Sequence, residues 1–111
     1  MDMVTIDDFQ RLDLRTGEIT AVEDFPRARK PAYRVTVDFG PEMGPKRSSI
    51  QATNYAKDAL QGMQVIAVVN LPPRNIAGFI SEVLILGVPG ADDQIALLTP
   101  SRAARLGGAV Y

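Results

Sequence analysis

Two apolar runs, VIAVVNL at residues 65–71 and VLIL at 83–86, are separated by a segment rich in turn-forming residues. Short apolar runs rich in β-branched residues and bounded by proline and glycine predict buried strands. The longer run is far too short to span a bilayer, so no membrane insertion is expected. The sequence therefore predicts two buried strands joined by an irregular loop. A loop of this composition between two core strands is a candidate functional element.

The remaining pattern supplies the order of the elements. The sequence predicts strands at 16–25, 33–39, 46–52, 64–71, 83–88 and 94–98. It also predicts a short helix at 5–13, capped by Thr5. A two-turn helix at 53–62 is predicted to be capped by Thr53 or Asn54 and to end at Gly62. Three strands, a helix and two further strands favour an all-β fold, the five-stranded Greek-key barrel known as the OB-fold, with short helices. A length of 111 residues fits one domain, 1–111.

The absence of cysteine and histidine narrows the chemistry. Disulfides, a zinc site and a Ser-His-Asp triad are excluded. Ser48 or Ser49 near Lys46 is the only nucleophile pattern, and such a pattern arises readily by chance on a strand. The pair Asp92 and Asp93 is typical of a solvated turn. We therefore expect no enzyme activity, no cofactor and no metal.

The net charge of −1 conceals local clusters of cations. In an OB-fold, ligands lie against strands two and three and the loops that join strands one to two and four to five. Seven of the twelve cations fall on those parts: Arg27, Arg29, Lys30, Arg34, Lys46, Arg47 and Arg74. This placement predicts a binding face, although a solvated charged loop would show the same composition. The isoelectric point near 5.3 argues against a dedicated nucleic-acid binder.

The segment 70–82 is predicted to be the working edge of that face. Pro72 and Pro73 restrict its shape, and Arg74 adds a positive charge. Ile76 and Phe79 are expected to expose an apolar surface for a client chain, whereas Ile80 is expected to fold over the end of the barrel. The predicted client site is therefore Arg74, Ile76 and Phe79.

Several stretches resemble the tRNA-binding domain family, and in particular its stand-alone CsaA-like branch. They are LDLRTGEITAVEDFP at 12–26, YRVTVDFG at 33–40 and VIAVVNLPPRNIAGFISEVLIL at 65–86. Within them, the signature D-x-R-x-G is formed by Asp13, Arg15 and Gly17. The signature N-L-x-P-R-x-I-x-G is formed by Asn70, Leu71, Pro73, Arg74, Ile76 and Gly78.

The resemblance implies a cytoplasmic homodimer that acts as a chaperone for precursor or unfolded polypeptides, together with a SecA-type export motor. The broader family binds tRNA by shape, and this alternative remains open. Family members that bind tRNA read S-x-G-M after the loop, whereas this chain has Ser81, Glu82, Val83 and Leu84, and Glu82 would repel phosphate. The candidate RNA-binding residues are Arg27, Arg29, Lys30, Lys46, Arg47, Asn70, Arg74 and Ser81.

Both ends of the chain carry apolar residues that one small barrel has little need to bury. Ile6, Phe9 and Leu12 share a face of the first predicted helix, and the tail carries Leu106, Val110 and Tyr111. We expect these two groups to meet across a two-fold axis in a homodimer.

Overall fold

The structure, a computed structural model, describes all 111 residues. Its elements are α1 (Ile6–Gln10), β1 (Leu14–Asp24), β2 (Tyr33–Asp38), β3 (Pro45–Ile50), α2 (Lys57–Leu60), β4 (Gln64–Val68), β5 (Arg74–Ile76), β6 (Phe79–Ser81), β7 (Leu84–Ile85), β8 (Gly87–Pro89) and β9 (Ile95–Leu97). None of the helices is long and apolar enough to cross a bilayer.

The main sheet contains five antiparallel strands in the order β3-β2-β1-β4-β7 and curls into a nearly closed barrel. The seam lies between β3 and residues 81–83. There the Glu82 amide donates to the Arg47 carbonyl at 2.8 Å, and the Ser48 hydroxyl donates to the Val83 carbonyl at 2.8 Å. This is the OB-fold that the order of elements predicted.

The barrel interior is filled by alternate residues of the strands. Val35, Val37 and Phe39 of the second strand and its continuation are buried, as the period-two pattern predicted. Gly17 of β1 lies directly over this row, and a Cβ atom there would fall 2.8 Å from the Phe39 ring. The close approach of β1 to β2 therefore requires glycine at this position.

The N-terminal cap predicted for α1 is present, whereas the one predicted for α2 is not. The Thr5 hydroxyl accepts from the Asp8 amide, and the Asp8 carboxylate accepts from the Thr5 amide, so the predicted capping box is confirmed. Helix α2 is only one turn long, and the prediction that Thr53 or Asn54 caps it is wrong. The helix begins at Lys57, so its N-cap position falls on Ala56, which has no side-chain acceptor, and the Asn54 side chain instead donates to the Ile95 carbonyl at 3.0 Å. The glycine after α2, at position 62, has a φ of 88° as predicted for a helix end.

The segment between β4 and β7 is not an irregular loop but a β-hairpin formed by β5 and β6. Its two central residues, Ala77 and Gly78, have φ values of 50° and 87°. Positive φ at both positions is the type I′ turn that matches the twist of a hairpin. The single strand predicted at 83–88 is also divided, since β7 joins the barrel while β8 pairs with β9 in a separate ribbon. The β5–β6 hairpin and the β8–β9 ribbon both stand beside the barrel.

Candidate functional site

An open groove of about 1290 Å³ runs along the barrel where these two small sheets stand beside it. Its walls are the loop between β1 and β2, the end of β3 and residues 51–52, the β5–β6 hairpin, and strands β7 to β9. Eleven of its 21 lining residues are hydrophobic. The groove is therefore large enough for several side chains of a ligand and presents both apolar and polar surface.

Three of the predicted binding cations line this groove. Arg29 and Lys30 lie on the β1–β2 loop, and Arg74 begins the hairpin. All three are exposed, and none takes part in a salt bridge or a side-chain hydrogen bond within the chain. Asp93 is the one acidic residue among the lining residues. The groove therefore has three cations against one acidic residue, and none of the three cations forms a salt bridge within the chain.

The apolar part of the groove was not predicted in full. Leu84 and Val88 line it with 46% and 48% of their surface exposed, and Ile95 lies beside them. The sequence predicted that the apolar run at 83–86 is buried, and this is correct only for Val83 and Ile85. The alternation of buried and exposed residues from 83 to 85 follows the period of a strand, but all of these residues are aliphatic. The exposure of Leu84 was therefore invisible in the sequence.

Phe79 does not form the exposed platform that was predicted. Its side chain is buried, with 9% exposure, in a small cluster with Phe25 and Ala32. The neighbouring Ile80, predicted to fold over the barrel end, is instead 48% exposed. The type I′ turn sets this register, because Phe79 pairs with Ile76 and directs its ring towards the barrel. Of the three predicted client-binding residues, Arg74 and Ile76 line the groove.

Two arginines of the β2–β3 face cover that aromatic cluster. Arg47 lies over the Phe79 ring at 4.8 Å from its centroid, and Arg34 lies over the Phe25 ring at 5.5 Å. Arg47 also forms a salt bridge with Glu23. On the face where OB domains commonly hold ligands, these two cations therefore contact aromatic rings of the protein itself.

Two further candidates for RNA binding make hydrogen bonds within the protein. The Asn70 side chain accepts from the Asp13 amide at 2.9 Å and donates to the Arg11 carbonyl at 2.8 Å. The Ser81 hydroxyl is buried and accepts from the Ser49 amide at the barrel seam. The remaining candidates, Arg27 and Lys46, lie outside the groove lining.

Arg15 and Asp13 of the signature D-x-R-x-G hold the C-terminal tail against the barrel. The Arg15 guanidinium donates to the Gly107 carbonyl at 2.9 Å and to the Asp13 carboxylate. The hydrogen bond and the negative charge of Asp13 raise the pKa of Arg15 above its ordinary value. The arginine therefore ties the C-terminal tail to β1.

The apolar residues predicted for dimerisation surround a second depression of about 590 Å³. Ile6, Phe9 and Leu12 meet Val110 and Tyr111 there, and all five are exposed. Leu106 was predicted to join them, but it is half-buried elsewhere, with its carbonyl facing Gly40. The structure thus brings the two ends of the chain together into one exposed surface, which we call the terminal patch.

Comparison with known proteins identifies the class. The family \"Putative tRNA binding domain\" matches residues 14–109. The crystal structure of a CsaA chaperone protein from Picrophilus torridus superposes with a TM-score of 0.93 at 48% identity, covering 98% of this chain and 100% of that one. The chaperone CsaA from Bacillus anthracis gives 0.90 at 46% identity, covering 99% and 100%.

The chain also resembles part of larger proteins. It is 34% identical over 99% of its length to the methionine–tRNA ligase of Thermococcus onnurineus, of which it spans 15%. It is 33% identical over its whole length to that of Methanococcus maripaludis, of which it spans 16%. The match is therefore to one domain of those proteins.

The fold, the groove and the family match together define an OB-fold domain of the tRNA-binding type. Within that class, full-length similarity to the two CsaA structures is decisive. The chain belongs to the CsaA-like branch of the tRNA-binding domain family.

Proposed function

We propose that the protein is a chaperone that holds unfolded or precursor polypeptides in the groove. The observation that carries this proposal is the apolar strip formed by the exposed Leu84 and Val88 and the half-buried Ile95, in a groove that also holds unpaired cations. A folded domain that exposes aliphatic side chains in a concave surface usually has an apolar partner for them. The two CsaA structures are described as chaperones, which supports the same function for this chain.

We propose further that two copies of the protein form a homodimer through the terminal patch. Apolar side chains from both ends of the chain lie exposed side by side, and covering them would remove their surface from water. Two grooves on one dimer would bind two segments of one client with a gain in apparent affinity.

The proposal also includes a cytoplasmic location and transfer of precursors to a SecA-type export motor, as the CsaA-like resemblance implies. It includes no catalytic step. Of the two serines considered as nucleophiles from the sequence, Ser48 and Ser49, the Ser48 hydroxyl is buried and donates to a carbonyl of the barrel seam. Its hydrogen-bonding role is structural.

An aggregation assay with a matched pair of variants tests the client site. Val88→Ser removes an exposed aliphatic group from the groove, and Ile80→Ser removes one of equal exposure outside the groove lining. We expect Val88→Ser to protect a chemically unfolded client poorly, and Ile80→Ser to protect it as well as the wild type does. Equal protection by both variants and the wild type would show that the client site lies elsewhere.

Binding of tRNA is a second candidate function, favoured by the family match and by the methionine–tRNA ligase relatives. Arg29, Lys30 and Arg74 are free to contact phosphate. Such binding would be electrostatic and would weaken steeply as salt is added. Filter binding of total tRNA at two salt concentrations tests it, and Arg74→Ala should weaken binding several-fold. Binding that is insensitive to Arg74 and to salt would contradict this arrangement.

A further inference from the structure

We infer that the groove selects polypeptide segments in which apolar residues are flanked by carboxylates, and that it discriminates against segments flanked by lysine or arginine. This inference rests on the proposed chaperone function and specifies its client class. Three observations support it: acidic residues near the β2–β3 face contact other groups of the protein, the groove cations are unpaired, and the side chains between those cations are aliphatic.

Three acidic residues near the β2–β3 face contact other groups of the protein itself. Glu23 pairs with Arg47, and Asp24 pairs with Lys57. Glu82, the acid at the rim, accepts a hydrogen bond from the Arg47 amide at 3.0 Å through its Oε1 atom and does not line the groove. None of these three carboxylates lines the groove, so none is placed to receive a basic client there.

The cations of the groove, in contrast to these acidic residues, line the groove and are unpaired. Arg29, Lys30 and Arg74 are exposed and unpaired, and they come from two different walls. Only Asp93 opposes them within the groove. A client with carboxylates on both sides of its apolar residues would find a cation on each of these walls, whereas a basic client would meet like charge.

The side chains between these cations favour a polypeptide over RNA. No phenylalanine, tyrosine or tryptophan lines the groove. Single-stranded RNA binds mainly by stacking its bases on aromatic rings. Leu84, Val88 and Ile95 offer aliphatic surface instead, which suits the aliphatic side chains of a client.

Fluorescence anisotropy with three labelled, unstructured peptides tests the inference. The peptides have equal length and equal leucine and valine content, and their flanking residues are glutamate, serine or lysine. We expect the glutamate peptide to bind about fivefold more tightly than the serine peptide, since each exposed ion pair contributes little. The lysine peptide should bind most weakly, and added salt should reduce the differences.

Two charge-matched double variants locate the effect. Lys30→Gln/Arg74→Gln removes two groove cations, and Arg102→Gln/Arg105→Gln removes two exposed cations outside the groove lining. The first should lose most of the preference for glutamate at an unchanged melting temperature, and the second should retain it. A preference that survives in the first variant would overturn the inference.

The remaining outcomes separate this inference from the proposed function. Glutamate and lysine peptides that bind equally would overturn the charge selectivity and leave the chaperone proposal standing. If none of the peptides binds, both proposals fail. If tRNA then binds through Lys30 and Arg74, the occupant of the groove is RNA.

Discussion

The rings of Phe25 and Phe79 pack edge to face with their centroids 5.4 Å apart. Phe25 directly follows β1, and Phe79 begins β6. The contact therefore joins the β1–β2 loop to the β5–β6 hairpin, and these two segments carry all three cations of the groove. The aromatic pair positions the binding surface without being part of it.

Replacing Phe79 by alanine should destabilise the protein. Removing a buried ring leaves a cavity and, in this case, also removes the surface on which Arg47 rests. We expect the free energy of unfolding to fall by about 3 kcal/mol, measured by urea denaturation. Ile80→Ala, which truncates the exposed neighbour, serves as the control and should change it by less than about 1 kcal/mol. An unchanged midpoint for Phe79→Ala would show that the ring does not support the hairpin.

The hairpin turn offers a stabilising substitution. Ala77 has a φ of 50°, which is costly for a residue with a Cβ atom, whereas asparagine tolerates it well. Asn-Gly is also the favoured pair for a type I′ turn. Ala77→Asn should raise the free energy of unfolding by about 0.5–1 kcal/mol, seen as a higher melting temperature. Ala77→Val, which is β-branched, should lower it, and the opposite order of the two variants would contradict the turn assignment.

Asn70 should act as a structural anchor for the N-terminal segment. Asn70→Ala removes hydrogen bonds to the backbone of Arg11 and Asp13. We expect faster amide hydrogen exchange in residues 5–13 while the barrel strands keep their protection. Leu71→Ala, at the half-exposed neighbouring position, is the control and should leave that exchange unchanged. If Asn70→Ala left exchange at wild-type rates, a role in ligand binding would become the better explanation for this residue.

The terminal patch should control the oligomeric state. Phe9→Asp places a charge among the apolar residues of both chain ends, and burying that charge would be costly. We expect light scattering to report a dimer for the wild type and a monomer for this variant. Val88→Asp adds the same charge to an exposed aliphatic position in the groove and should leave the mass of the dimer unchanged. A wild type that is monomeric at micromolar concentration would refute the proposed dimer.

The sequence by itself determined the barrel. Alternation in residues 33–39, the apolar run at 65–71 and the Thr5 capping box each specify a local structure, because period, propensity and hydrogen-bonding groups act between near neighbours. The same local signals, combined with the order of the elements, were sufficient for the OB-fold and for the positions of Arg29, Lys30 and Arg74.

Only the tertiary structure decided which apolar residues face solvent. Seven of the ten residues from Phe79 to Val88 are aliphatic or aromatic, so no pattern in the sequence separates buried from exposed positions. The type I′ turn places Phe79 inwards and Ile80 outwards, strand alternation turns Leu84 away from the core, and the departure of β8 from the barrel leaves Val88 exposed. Charge pairing is likewise a long-range property, since Glu23 and Arg47 are neighbours only across the folded sheet. The groove's apolar strip and its unpaired cations exist because strands distant in the sequence meet there.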